Sequence, residues 1–397
     1  MDTNVIPIKE NIYWVGVNDY DTQLFEAIWP LPEGVSYNSY LIVDEKVALV
    51  DAVKHTTSHV LLKKLKQVLK DRPVDYMVIN HMEPDHSGAV AMLAELYPNM
   101  QIVGNKKTLE YANDYYHIQS KTKEVKEGDT LNLGKHELQF HLTPMVHWPE
   151  TMVTYEKSHK ILFTADIFGG FGVLKGGIFD NEVDLDYYET EIRRYFSNIV
   201  GKYSKMAQKA LKKLEGLDIQ IIAPTHGPVF KDNPSYIIDK YDKWSRYEAE
   251  DGVVIAFASM YGNTQEMAEI VARGLSENGV TKIRMHDVSY KHASYIINDI
   301  WQFKGFILGS CTYNTRIFPY METLVNMLIN KQLKNRYVGI FGSYTWGGGA
   351  FRGLKEFMEK SNLDPIEPSF AVKGSVTQED VQQCYELGKN MAEALKS

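Results

Sequence analysis

The segment His81-Met82-Glu83-Pro84-Asp85-His86-Ser87-Gly88 brings two imidazoles and two carboxylates within six residues. Nitrogen and oxygen donors this dense suit a transition metal, although a solvated polar turn would carry the same residue types. Further donors recur at or just after the ends of predicted strands: His147 in Val146-His147-Trp148-Pro149-Glu150, Asp166 after Thr164-Ala165, and His226 between Thr225 and Gly227. Loops gathered on one edge of a sandwich are where a rigid scaffold displays ligands. His55, His59, His117, His136, His141, His159, His286 and His292 stand in polar or alternating contexts without partner spacing, and read as surface or satisfied core residues.

A second chemistry is written into the C-terminal half. The apolar run Val253 to Phe257 leads into Ser259-Met260-Tyr261-Gly262-Asn263-Thr264 and then an amphipathic pattern. Hydroxyls, a permissive glycine and amides at a helix N-terminus cradle a phosphate without a basic side chain, although the same residues also cap helices and form turns. Two more strand ends decide for a ligand: Ser310-Cys311-Thr312-Tyr313-Asn314 after Gly305 to Gly309, and Ser343-Tyr344-Thr345-Trp346-Gly347-Gly348-Gly349 after Tyr337 to Gly342. In an open parallel sheet such ends converge on one crevice. Tyr313 and Trp346 offer flat faces to an isoalloxazine ring, and the glycines admit backbone amides to its polar edge. The absence of GxGxxG after the first strand speaks against a dinucleotide. Cys311 reads as a reactive thiol or, more readily, as a small packing residue.

The elements that must position these groups follow from hydrophobic period and turn signals. In the first half, strands are expected at Asn11 to Val17, Tyr40 to Val50, Tyr76 to Asn80, Gln101 to Val103, Glu137 to Thr143, Met152 to Glu156, Ile161 to Ala165 and Gln220 to Ala223. Helices are expected at His59 to Leu69 and Asp186 to Leu214. After the polar stretch Asp242 to Asp251, strands and helices alternate (helices at Thr264 to Asn278, Met321 to Ile329 and Gly353 to Lys360), as in a doubly wound parallel sheet. Two domains are expected, 1–250 and 251–397, since 397 residues exceed what one core usually serves.

Composition only excludes. A net charge of -8 and a pI near 5.9 disfavour a partner rich in phosphate, whether nucleic acid or anionic lipid. No apolar run approaches a membrane span, and Met1-Asp2-Thr3-Asn4-Val5 lacks the basic start of a leader, so the cytoplasm is expected. Two isolated cysteines, Cys311 and Cys384, cannot build a disulfide framework or an iron–sulfur cluster.

The order HxExDH, His, Asp, His resembles the metallo-β-lactamase superfamily, whose hydrolases usually carry HxHxDH. Here Glu83 replaces the middle histidine, moving the donor set from one suited to zinc toward one suited to iron. The part from Gly252 onward resembles flavodoxin, which implies FMN. Together they resemble the flavodiiron proteins over essentially the whole chain. The resemblance implies an α/β architecture, with an N-terminal metallo-β-lactamase-like αββα sandwich followed by a flavodoxin-like doubly wound parallel sheet. It implies two Fe, with His81, Glu83 and His147 on one, Asp85 and His226 on the other, Asp166 bridging, and His86 either ligating or turned away. It further implies FMN-fed reduction of dioxygen to water, of nitric oxide to nitrous oxide, or both, in a head-to-tail homodimer or dimer of dimers. With no paired CxxC before Ser397, a separate donor such as rubredoxin or a reduced cofactor is expected. Tyr195 resembles a family tyrosine near the irons, and packing is its other reading. Leu24-Phe25-Glu26 stands where many family members have a histidine. A zinc hydrolase fused to a flavodoxin-like module, using His81, His147 and His226, is the alternative that Glu83 opposes. A pure electron carrier would leave the six-ligand set unexplained.

Overall fold

The computed structural model describes residues 5–119 and 121–396. Met1 to Asn4, Ser120 and Ser397 lie outside the described residues, and with them most of the N-terminal start and the chain end considered above. The chain divides into two compact units at Asp242/Lys243, earlier than the expected 250/251. The reason is local packing: Trp301 Nε1 donates to Trp244 O, and the Tyr247 ring lies 5.6 Å from that of Trp301, so the polar stretch before the first strand already belongs to the second unit.

Two large sheets frame the first unit, beside the small pairs Val17–Asp19 with Val35–Tyr37 and Leu24–Phe25 with Trp29–Pro30. One runs Ile6–Lys9, Ile12–Trp14, Tyr40–Val43, Val47–Val50, Tyr76–Val78, Gln101–Gly104, Thr122–Glu124. The other runs Thr130–Asn132, Glu137–Leu142, Met152–Glu156, Ile161–Phe163, Ile221–Ala223. Tyr40 packs on Phe163 across the sheets, and Asn80 joins them by accepting from Met152 N and Thr154 Oγ1. Buried Asp51 holds Asn80 in turn, accepting from its backbone N and its Nδ2. Helix Ser58–Leu69 buries Leu61, Leu65 and Leu69, the i, i+4 stripe of an amphipathic helix.

Strand direction explains where the donors gather. Tyr76–Val78 is parallel to both neighbours, Ile161–Phe163 is parallel to Ile221–Ala223, and Met152–Glu156 is antiparallel to Ile161–Phe163. The end of the first strand, the ends of the parallel pair and the start of the antiparallel strand therefore share one edge. The expected helix from Asp186 to Leu214 is instead Leu185–Tyr195, a π turn Phe196–Val200, a 3₁₀ turn Gly201–Tyr203 and Ser204–Leu214. Its path is helical throughout, but the π turn changes which residues face inward.

The second unit holds parallel strands in the order Ile283–Asp287, Glu250–Ala258, Phe303–Tyr313, Tyr337–Tyr344, with Asp364–Pro365 and Phe370–Lys373 both pairing beyond the last. Its core joins Val253, Ile255 and Ile307 to Val271, Leu275, Leu387 and Met391 of the covering helices. This is the doubly wound order 2-1-3-4-5 with its switch point beside the first strand. Among the described residues no helix is long and apolar enough to cross a membrane.

Candidate functional site

The strand-end donors assemble into two adjoining sets. In the first, His81 Nε2 lies 3.3 Å from Glu83 Oε2 and 3.4 Å from Asp166 Oδ2, and His147 Nε2 lies 3.0 and 3.1 Å from the same two oxygens. In the second, His86 Nε2 lies 3.3 Å from Asp85 Oδ2 and 2.9 Å from Asp166 Oδ1, while His226 Nε2 lies 3.3 and 3.6 Å from them. Donors bonded to one ion at about 2.1 Å stand roughly 3.0–3.4 Å apart, so most of these separations are edges of a coordination shell. Asp166 turns one carboxylate oxygen to each set. All seven metal-ligating candidates are thus brought together, His86 among them and facing inward.

The electrostatics agree. Burial alone would lower the His81 imidazolium, but Asp166, Glu150 and Glu83 outweigh it and raise it well above its ordinary value. His86 and His147 are likewise pushed up to about 9 against burial, His86 by Asp85 and Asp166, His147 by Asp166 and Glu83. Asp166, which burial would raise, is held well below the carboxylate range by His86, His81 and His147. Three carboxylates in a dry site demand positive charge.

A cleft of about 960 Å³ opens onto Glu83 and Asp85, lined also by Phe25, Glu26, Tyr37 and Lys54. Phe25, Tyr37 and Tyr195 wall the His226 ring at 5.3, 5.8 and 5.5 Å between centroids. Tyr195 is fully buried, and its hydroxyl makes no hydrogen bond. Glu26, where the family histidine was missed, accepts from Trp29 Nε1, and burial with Glu83 nearby raises its carboxyl.

In the second unit the three loops meet by contact. Thr264 Oγ1 and Ser343 Oγ are 2.8 Å apart, and Ala350 N donates to Thr312 Oγ1. Gly262, at φ +98°, donates to Ser259 Oγ and starts helix Asn263–Glu277, which has no side-chain cap on its first-turn amides. Asn263 Nδ2 reaches Gly374 O. A Cβ at Gly349 would stand 1.7 Å from Thr315 O, so only glycine allows the third loop to cross there. Tyr261 and Trp346 are 92% and 66% exposed, so Trp346 is no core residue and its face is free for a ring, and Met260 and Tyr313 are exposed as well. Ser310 is buried, Asn314 adopts positive φ, and Tyr344, Thr345, Gly347 and Gly348 complete the third loop. Cys311 is buried in its strand with its thiol pushed up by burial, which favours packing over reactivity.

Comparison with known proteins places this arrangement. A family profile described as ODP family beta lactamase matches residues 35–227, and flavodoxin matches 255–388. A nitric oxide reductase of Moorella thermoacetica is 33% identical over 392 residues, 98% of each chain. Rubredoxin oxygen:oxidoreductase from Desulfovibrio gigas superposes with a TM-score of 0.95 at 30% identity, over 99% of this chain and 98% of the other. The flavodiiron protein of Giardia intestinalis superposes with a TM-score of 0.95 at 25% identity, over 100% and 98%. The chain is a flavodiiron protein.

The buried atoms of this flavodiiron protein fit two metal ions. Both Asp85 oxygens, both His86 nitrogens and His226 Nε2 are shielded from solvent yet form no hydrogen bond, which is costly unless an ion satisfies them. The Nδ1 atom of His226 donates to Ser36 O, leaving Nε2 as the donor that faces the site. His81 is oriented by a residue that motif reading passed over. Glu150 Oε1 accepts from His81 Nδ1 at 2.7 Å and from Met82 N at 2.9 Å, with both side chains fully buried. The available signal was a carboxylate three residues after His147, but its target lies 69 positions away. Glu150→Ala is expected to weaken iron retention about 10–100-fold in a chelator titration, with Glu150→Gln milder, the cost typical of losing a ligand-orienting partner. Equal retention in Glu150→Ala and the parent would remove the orienting role.

Proposed function

We propose that this flavodiiron protein reduces dioxygen to water, nitric oxide to nitrous oxide, or both, at two irons fed by FMN. The observation that carries the reading is Asp166, whose two oxygens each face a separate set of donors. His81, Glu83 and His147 would hold one iron, Asp85, His86 and His226 the other, and FMN would sit in the three loops beginning at Ser259, Ser310 and Ser343. When bound, adjacent irons supply electrons to one diatomic ligand, and FMN takes reducing equivalents in pairs or singly and releases them one at a time.

The chain's own groups do the rest. Glu83, Asp85 and Asp166 supply the negative charge that favours higher metal charge, and the aromatic wall of Phe25, Tyr37 and Tyr195 keeps water from His226. Burial and the Asp166 carboxylate raise the Tyr195 hydroxyl well above its ordinary range, so its oxygen keeps its proton at neutral pH and can donate to a bound oxygen atom. Electrons would come from a separate donor, rubredoxin or a reduced cofactor, in a head-to-tail homodimer or dimer of dimers in the cytoplasm. The relatives' names, nitric oxide reductase and rubredoxin oxygen:oxidoreductase, support the substrate class without choosing within it.

Elemental analysis and released-flavin absorbance of the purified protein should give about two irons and one FMN per chain, the stoichiometry of a bridged pair served by one flavin. Comparison of dioxygen and nitric oxide turnover then assigns the substrate. Zinc in both positions after expression with iron supplied would sink the reading and favour a hydrolase.

A further inference from the structure

We propose that His136, Glu156 and His159 form a third metal site, separate from the paired sets above, for a divalent ion of the zinc class. Glu156 ends strand Met152–Glu156, His136 precedes the antiparallel strand Glu137–Leu142, and His159 lies in the turn leading to Ile161–Phe163. Strand direction therefore puts the three at the opposite edge of the five-stranded sheet from His147 and Asp166. The sequence separates His136 from Glu156 by 20 positions, and only the pairing of strands unites them.

The geometry is that of a donor set. His136 Nδ1 is 3.0 Å from Glu156 Oε1, and His159 Nδ1 is 3.5 Å from Glu156 Oε2. A tetrahedral ion with bonds of about 2.0–2.1 Å needs donors about 3.3 Å apart, between these two values. One donor atom from each residue falls within a group spanning at most 4.8 Å. The rings stack 29° from parallel with centroids 5.4 Å apart, so their Nδ1 edges lie along the same carboxylate.

Burial separates this cluster from a surface ion pair. Glu156 is fully buried and His136 is 4% exposed. The turn fixes the carboxylate, which accepts from Ser158 N on Oε1 and from His159 N on Oε2. The Nδ1 of His159 is shielded from solvent and makes no hydrogen bond. A proton on His136 satisfies one side of Glu156 and leaves that nitrogen with nothing, whereas an ion between the rings satisfies both nitrogens and the carboxylate charge. The lysines of the turn are each paired, Lys157 to Glu137 and Lys160 to Asp218, and Asp44 adds a carboxylate at the His136 backbone, which offsets their charge. Two imidazoles and one carboxylate suit zinc, and next cobalt(II) or nickel(II), with a coordination position left for water. On binding, Nδ1 of His136 exchanges its proton for the ion, and the proton leaves to solvent.

The test uses the full chain with iron and FMN in place, titrated with zinc by calorimetry and with cobalt(II) by visible absorption. One further equivalent should bind, releasing protons and raising the melting temperature. In His159→Ala, at a turn position whose side chain is 28% exposed, affinity should fall by more than the about 10–100-fold of an orienting partner, with iron and FMN content unchanged. His136→Ala should do the same where it folds, and His159→Ala decides alone where it does not. No uptake by the parent protein at millimolar zinc, or uptake undiminished in His159→Ala, overturns the proposal.

Discussion

Replacing Asp166 by alanine should empty both iron positions at once and lower reductase turnover by at least about 10³-fold, several kcal/mol of lost stabilisation. Asp166 Oδ2 faces His81 and His147, Oδ1 faces His86, and Thr225 Oγ1 donates to Oδ1 to fix the carboxylate plane. Among the described residues no other carboxylate reaches both sets: Glu83 serves only the first and Asp85 only the second. Glu83→Ala should therefore deplete one iron preferentially, and the contrast with Asp166→Ala is what establishes a shared ligand. Iron per chain and Mössbauer spectra read it. Two irons retained in Asp166→Ala, still magnetically coupled, would show that something else joins them.

The second large effect is on stability and lies far from any ligand in sequence. Arg336 is 1% exposed, and its guanidinium donates to five carbonyls: Ile300 and Trp301 at 3.0 and 2.6 Å, Tyr247 at 2.8 Å, and Lys334 and Asn335 at 3.1 and 3.0 Å. Burial lowers its pKa to about 9, which still leaves it charged at neutral pH. Arg336→Met keeps the stem and strands the acceptors. With about 1–3 kcal/mol for each buried group left unsatisfied, and some relief by water, a loss of about 3–5 kcal/mol is expected. The melting transition of the second unit should drop by roughly 10 °C, with flavin released at the lower temperature. A loss below about 1 kcal/mol would mean that water replaces the guanidinium freely.

How much of this was legible beforehand divides along a physical line. The donors of HxExDH and the three loops of the second unit announce themselves because each is local: a strand ends and reactive residues follow at once. The fold class and the strands around the donors follow for the same reason. Helices Lys106–Tyr116, Pro234–Ser245 and Gln378–Ala394 carry stripes diluted by polar residues, whereas Ala293–Gln302 is short and buried on most sides, so no single face marks it as a helix. Glu150 and the pairing of His136 with Glu156 were illegible because each depends on register between distant segments. The domain boundary shifted because a charged stretch reads as linker until Trp301 and Arg336 are seen to hold it.

Asn105 shows where such register matters to inheritance. Its Oδ1 caps helix Lys106–Tyr116 by accepting from Lys107 N and Thr108 N, while its Nδ2 donates to the backbone oxygen of Glu150, whose carboxylate holds His81. A change at this helix start, of the kind usually scored as a mild loss of folding stability, would surface here as under-metallated protein. The metal content of such a variant would then follow the iron supplied during its synthesis more steeply than that of the parent protein.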